Sequence, residues 1–256
     1  MPGTAMNFSN TFILIPAFNE EKNLFRLIDQ LKRAGFNTSH LVLADDGSTD
    51  QTSQIGRDLG IRIIRSPTNY GKGYILYHAF NTILNRFPSI ESIMTIDGDG
   101  QHDHREIPEF LKALDKDDSL GIVIGRRDFN IMPRINKISN SLTSMWCLYW
   151  LQWDIPDVQC GFRAYRSSIL RRILDYGIST RKFDFETELL FITWLLGFDI
   201  SSIPIRTVYI QNNRKSYVVP ITDTLRWTRL AFRFGFNPQF MRRIWKQRLI
   251  SKERKR

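Results

Sequence analysis

The chain has 256 residues, 42% hydrophobic and 24% charged, which suits one large folded domain with a sizeable core and excludes disorder throughout. Two cysteines, Cys147 and Cys160, exclude a disulfide framework and a four-thiolate zinc site, and a reducing compartment is the default. The formal net charge of +10 sits at one end: residues 221–256 hold 11 of the 36 Lys and Arg but two of the 26 Asp and Glu, leaving the preceding 220 residues nearly neutral.

The first ten residues read as an N-terminal extension without the charged and apolar regions of a signal peptide. β-Branched runs follow at residues 12–15, 41–44, 61–64, 92–96 and 121–124. Between them, residues 20–34 and 71–86 carry apolar side chains at helical spacing, such as Leu24, Leu27, Ile28 and Leu31. Asp50 and Thr52 are placed to cap a helix before Ile61. This order predicts an α/β fold, a Rossmann-like, mostly parallel central sheet with helices on both faces. Ligands of such sheets bind at the carboxyl ends of the strands, so residues 16–20, 45–48, 66–73, 97–101 and 125–128 are the segments of interest.

After Asp128 the pattern changes. Residues 134–153 read as a long helix with Trp146, Tyr149, Trp150 and Trp153 on one face, a core face or a bilayer-interface face. Residues 161–165 read as a short strand, 185–196 as an apolar helix and 200–210 as a strand. From residue 219 the chain is a basic helical tail, suited to an anionic partner or to solvent. No apolar run reaches the roughly 18–20 residues needed to span a bilayer.

The sharpest chemical signal is Asp97-Gly98-Asp99-Gly100-Gln101. Two carboxylates and a carboxamide at the end of an apolar strand supply hard oxygen ligands for Mg2+ or Mn2+, with diphosphate completing the shell. A calcium loop is excluded because the position of its closing Glu is Pro108. The segment after the first strand contains no Gly-rich dinucleotide fingerprint. Asp45-Asp46-Gly47-Ser48-Thr49-Asp50 offers acceptors for a base or ribose, or simply a cap and turn. Asn69-Tyr70-Gly71-Lys72-Gly73 offers backbone N–H groups and Lys72 to phosphate. His102 and His104 flank Asp103 as a metal ligand pair would, although a loop role suits His104 better, and Cys160 reads as packed.

In this order, residues 15–20, 44–50, 69–73 and 97–102 resemble the family 2 glycosyltransferases of GT-A fold, with matching spacing over residues 11–127. Asp157-Val158-Gln159-Cys160-Gly161-Phe162-Arg163 and Phe185-Glu186-Thr187-Glu188 narrow the resemblance to the branch of dolichyl-phosphate mannose synthase and the polyprenyl-phosphate glycosyltransferases. The resemblance implies that Pro16, Phe18 and Glu20, helped by Asp45 and Asp46, line the base and ribose of a sugar nucleotide. It places Asp97 near the ribose and diphosphate, and Asp97, Asp99 and Gln101 at the metal. Arg126 and Arg127 stand where the family has Gly-Ser-Arg, so Arg127 matches the acceptor-phosphate contact. Arg134 and Ser139 stand where the branch contacts lipid phosphate, and Arg214 in a loop that closes on the diphosphate.

The implied function is inverting transfer of a hexose from a UDP or GDP sugar to polyprenyl or dolichyl phosphate by a metal-dependent enzyme. A phosphate monoester carries about −1.5 to −2 charge near neutral pH and attacks without a general base. A hydroxyl acceptor would need one, for which Asp157, Glu186 or Glu188 are candidates unless they pair with Arg163 and other basic groups. The expected layout is an extension at 1–10, a GT-A domain at 11–218 and a membrane-surface tail at 219–256, on the cytoplasmic face of an anionic membrane. A basic nucleic-acid-binding protein is the competing class, but the neutral body and the missing recognition module speak against nucleic acid.

Overall fold

The computed structural model describes residues 10–128, 157–180, 182, 184–206, 229–230, 233–234, 236–238 and 241–242. Strand β1 (Thr11–Ala17) is buried along its whole length, as an apolar run covered on both faces must be. Helix α1 (Glu21–Arg33) follows and buries Leu24, Leu27, Ile28 and Leu31 as one stripe. Its first-turn Glu21 and last-turn Lys32 and Arg33 complement the helix dipole. Strand β2 (Leu41–Asp45) pairs parallel to β1. Helix α2 (Thr52–Asp58) has Gln51, not Asp50 or Thr52, at its N-cap, and Asp50 Oδ1, one residue ahead of that cap, accepts from Thr52 N at 2.9 Å and from the Thr52 hydroxyl.

Strand β3 (Arg62–Arg65) lies at the sheet edge, half-exposed, one residue later than its apolar run suggests. Helix α3 (Lys72–Arg86) leads to β4 (Ser92–Thr95), which pairs parallel to β1. Helix α4 (Ile107–Lys116) and strand β5 (Leu120–Arg126) follow. Strand β6 (Arg163–Arg166), helix α5 (Ser167–Tyr176), helix α6 (Phe185–Leu195) and strand β7 (Asp199–Pro204) complete the described elements. The strand expected over 200–210 ends at Pro204, with Ile205 and Arg206 outside it; residues 207–210 lie outside the described residues, as do 134–153 and most of 219–256.

Among the described residues the sheet has seven strands in the order β3-β2-β1-β4-β6-β5-β7. It is mostly parallel, as expected, but β6 runs antiparallel to both β4 and β5. The fourth and fifth strands therefore do not touch. This order brings residues 160–163 to the carboxyl end of β4, where a purely parallel succession would have put residues 125–127. The C-terminal stretch contributes to the core: Leu230 and Phe234 are buried, and Phe234 stacks on Phe191 with ring centroids 5.0 Å apart.

Candidate active site

The loops that follow β1 and β2 are built on each other. Asn19 takes a left-handed backbone with φ 56°, which Asn tolerates better than most residues. Its N–H donates to Ser48 Oγ at 2.9 Å, and its Oδ1 accepts from Thr49 N at 2.8 Å. Glu20 N donates to Thr52 Oγ1 at 2.7 Å. Asp45 is fully buried; it accepts from Ser48 N at 2.8 Å and from the Ser53 hydroxyl, with Arg65 Nε at 3.6 Å. Asp46 accepts from Ser66 Oγ at 2.9 Å, Tyr70 N at 3.1 Å and Gly71 N at 2.7 Å. Between the next two residues the chain passes so close to Thr68 that a Cβ on Gly47, whose φ is 72°, would lie 2.7 Å from Thr68 Cα. Both acids thus serve the loops, and Asp46 fixes the entry to α3.

That entry places Lys72. Its Nζ lies 2.8 Å from Asp97 Oδ1 and 3.1 Å from Glu186 Oε1. Asp97 leaves the carboxyl end of β4, and Glu186 is in the first turn of α6. The other Asp97 oxygen, Oδ2, faces His102 Nε2 at 3.3 Å, and the His102 ring lies flat on Phe162. A Cβ on Gly161 would stand 2.6 Å from Lys72 Nζ and against the Asp97 carboxylate, so a larger residue here would displace the ends of both side chains. Thr95 Oγ1 holds the Gly161 carbonyl at 2.7 Å.

The electrostatics follow from this packing. Burial works to raise the Asp97 carboxyl, but Lys72 and His102 outweigh it and hold Asp97 well below the usual carboxylate range. Burial works to lower Lys72, and Asp97 and Glu186 outweigh it, keeping the ammonium charged. Asp99 is pushed the other way: burial and the charge of Asp97 both raise it. Its Oδ1 accepts from Gln101 N at 3.0 Å, and among the described residues no cationic side chain pairs with it.

On the far side of Gly161, Arg127 grips Asp157 through Nε at 2.7 Å and Nη2 at 2.9 Å, while Arg127 N donates to the same carboxylate at 3.1 Å. Among the described residues Arg163 takes no carboxylate. Its fully buried guanidinium donates to the main-chain carbonyls of Val158, Cys160 and Glu186 at 2.6–2.8 Å. The acids considered as its partners go elsewhere, Asp157 to Arg127, Glu186 to Lys72 and Glu188 to Arg233. Glu188 is fully buried and accepts from the N–H and hydroxyl groups of Ser179 and Thr180 and from Arg233 Nη1 at 2.6 Å. Cys160 is buried beneath the site, its thiol pushed up to about 12 by burial and by Asp157.

The residues singled out from sequence thus separate. Lys72, Asp97 and Glu186 meet, with Asp99 and Gln101 beside them, and Gly98 N donates to the Pro16 carbonyl at 3.2 Å. Asp45, Asp46 and Glu188 are turned into loop and helix contacts. Asp103 is held by Arg105 at 2.7–3.0 Å and His104 opens a short turn, so the His102–His104 pair is split. Arg134, Ser139 and Arg214 lie outside the described residues. Sequence reading missed that Lys72 joins Asp97 to Glu186. The available signal was the spacing of Glu186 and Glu188: two residues apart on a helix, they cannot face the same way.

Asp97, Asp99 and Gln101 match the donor chemistry of a Mg2+ or Mn2+ site. They supply hard oxygens, and the Asp99 carboxylate has no cationic partner among the described residues. Two carboxylates with substrate phosphates are the usual protein share of such a site. No group of three or more His, Cys, Asp or Glu side chains stands ready to enclose a metal among the described residues, so any cation here depends on Gln101 and on ligand oxygens.

Residues 12–174 match the family described as Glycosyl transferase family 2. The polyprenol monophosphomannose synthase of Mycolicibacterium smegmatis is 25% identical over 80% of this chain and 79% of its own length. A UDP-N-acetylglucosamine–dolichyl-phosphate N-acetylglucosaminyltransferase of Methanococcus voltae is 26% identical over 77% of this chain and 85% of its own. The crystal structure of glucosyl-3-phosphoglycerate synthase from Mycobacterium tuberculosis, in complex with Mn2+, UDP and phosphoglyceric acid, superposes with a TM-score of 0.65. That match covers 92% of this chain and 78% of the synthase at 18% identity, and it shows the shared GT-A fold.

Proposed function

The chain belongs to glycosyl transferase family 2, and from that premise we propose that it transfers a hexose from a UDP or GDP sugar to a polyprenyl or dolichyl phosphate at a membrane surface. The observation that carries this reading is the cluster of Lys72, Asp97 and Glu186 beside Asp99 and Gln101, at the carboxyl end of a central strand. Such a cluster meets a nucleoside diphosphate with both a cation and cation-binding oxygens. Asp97, Asp99 and Gln101 would hold the divalent ion, which supplies neutralisation of the departing diphosphate. Pro16, Phe18 and Glu20 would line the base and ribose, with Asp45 and Asp46 acting through the loops that they hold.

In the reaction the acceptor phosphate oxygen attacks the anomeric carbon, the bond from that carbon to the diphosphate oxygen breaks, and the configuration inverts. The nucleoside diphosphate leaves with the bonding electrons, and Lys72 lies where that charge develops. No proton need be removed from a phosphate at neutral pH. The state of the three candidate bases supports this acceptor over a hydroxyl. Asp157 is gripped by Arg127, Glu186 faces Lys72, and Glu188 is sealed by its donors. Arg127, Arg134 and Ser139 would contact the acceptor phosphate, and Arg214 would close on the diphosphate. The names of the two relatives, which act on a polyprenol and on dolichyl phosphate, point the same way.

No helix among the described residues is long and apolar enough to cross a membrane. The excess of basic groups in residues 221–256 would bring the enzyme to an anionic cytoplasmic surface, each contributing about 1 kcal/mol near such a surface. The test is a donor screen with purified protein, undecaprenyl or dolichyl phosphate, and Mg2+ or Mn2+. A lipid-linked sugar phosphate whose formation stops with EDTA is expected. Transfer to hydroxyl acceptors alone would overturn the reading.

A further inference from the structure

Lys72 is shared by two carboxylates of different character. Asp97 has 27% of its side chain exposed, whereas Glu186 has 6% and sits in the first turn of α6. The main-chain carbonyl of Glu186 is itself held by buried Arg163 at 2.8 Å. A Cβ on Gly161 would fall 2.6 Å from the ammonium and press on it and on Asp97. Lys72 therefore bridges one fixed, deeply buried acid and one acid that opens toward the ligand side.

We infer that Glu186 is a positioning residue that retains Lys72 beside Asp97 when Asp97 turns its charge toward a divalent cation, and that Lys72 and the cation compete for Asp97. This rests on the reading that Asp97, Asp99 and Gln101 form the metal site. The physics is simple. A cation arriving at Asp97 meets an ammonium 2.8 Å from one of its oxygens, and two positive charges on one carboxylate repel. Glu186 offsets that repulsion because its carboxylate lies 3.1 Å from the ammonium, so an opposite charge remains beside it. Without Glu186, the ammonium keeps Asp97 as its one acid among the described residues. With Glu186 in place, Lys72 remains near enough to serve the diphosphate after Asp97 has taken the metal.

The test is Mn2+ binding without nucleotide, followed by the electron paramagnetic resonance of free Mn2+, with UDP binding at saturating Mn2+ measured by calorimetry. Lys72→Met is expected to bind Mn2+ roughly tenfold tighter yet UDP roughly tenfold weaker. A Lys72 that merely held the loop would weaken both on removal. Glu186→Gln is expected to bind Mn2+ roughly tenfold weaker, an effect that shrinks to about twofold in the Lys72→Met background. Lys72→Arg keeps the charge and is expected to bind Mn2+ no tighter than the wild type. If thermal melts find Lys72→Met unfolded, Glu186→Gln and Lys72→Arg carry the test. Mn2+ binding that Asp99→Asn abolishes but that ignores Lys72 and Glu186 overturns this inference alone. Absence of Mn2+ binding by the wild type, with or without UDP, overturns the metal reading and this inference with it.

Discussion

Two pairs of aspartates stand at the carboxyl ends of β2 and β4, the parallel strands on either side of β1, and they have opposite fates. Asp45 and Asp46 close β2, with 0% and 3% of their surface exposed, and their oxygens are taken up by backbone N–H groups, Ser53, Ser66 and Arg65. Asp97 and Asp99 follow β4, are only partly buried, and face Lys72, His102 and each other. The first pair spends its hydrogen-bonding capacity on holding loops. The second keeps charge in reserve, because one carboxylate shares its ammonium with Glu186 and the other has no cation among the described residues. An acid next to a strand end is therefore a binding group only when the surrounding loops do not consume it.

The comparison can be broken most directly at Asp99. Asp99→Asn is expected to lower transfer by roughly 10³-fold and to leave the melting temperature nearly unchanged, as read by a product assay beside a thermal melt. Asp46→Ala should act first on stability. It strands the N–H groups of Tyr70 and Gly71, while the Ser66 hydroxyl keeps the Thr68 carbonyl at 2.8 Å, and urea unfolding should register a loss of about 2 kcal/mol. If Asp46→Ala were fully stable but inactive, the contrast between the two pairs would collapse.

A third acid sharpens the contrast by less. Glu188→Gln keeps the shape but weakens the contacts to Ser179, Thr180 and Arg233. Arg233 is half-exposed, so the expected cost is only about 1–2 kcal/mol in urea unfolding. Loss of turnover at unchanged stability would make Glu188 a catalytic base instead. The smallest effect concerns the floor under Asp97. The Cys160 thiol, raised to about 12, stays protonated at pH 8, because its thiolate appears only as pH rises toward that value. Peptide mapping after treatment with a thiol reagent should find Cys160 unmodified in the folded protein and modified in urea. Rapid labelling of the folded chain would mean that the floor is open.

Much of the scaffold was legible in the amino-acid order. The apolar run of β1 and the Leu24–Leu27–Ile28–Leu31 stripe of α1 each state their role within a few residues, and the acids after β4 are visible as a string. Local spacing decides such features, since strand and helix periodicities act over short stretches of chain. The resemblance of residues 15–20, 44–50, 69–73 and 97–102 to family 2 glycosyltransferases was carried by the same local strings, and the family match over residues 12–174 agrees with it. What no local string contains is which distant groups meet. The antiparallel entry of β6 between β4 and β5 brings Gly161 against Asp97 and Lys72, and the packing of α6 delivers Glu186 rather than Glu188 to the same place. Whether an acid is consumed or left to bind depends on donors 20 or more residues away, such as Ser66 for Asp46 and Arg233 for Glu188. The sequence by itself determined which residues could carry the chemistry. Only the tertiary structure decided which of them are still available for it, because charge and hydrogen-bonding capacity are shared among neighbours in space.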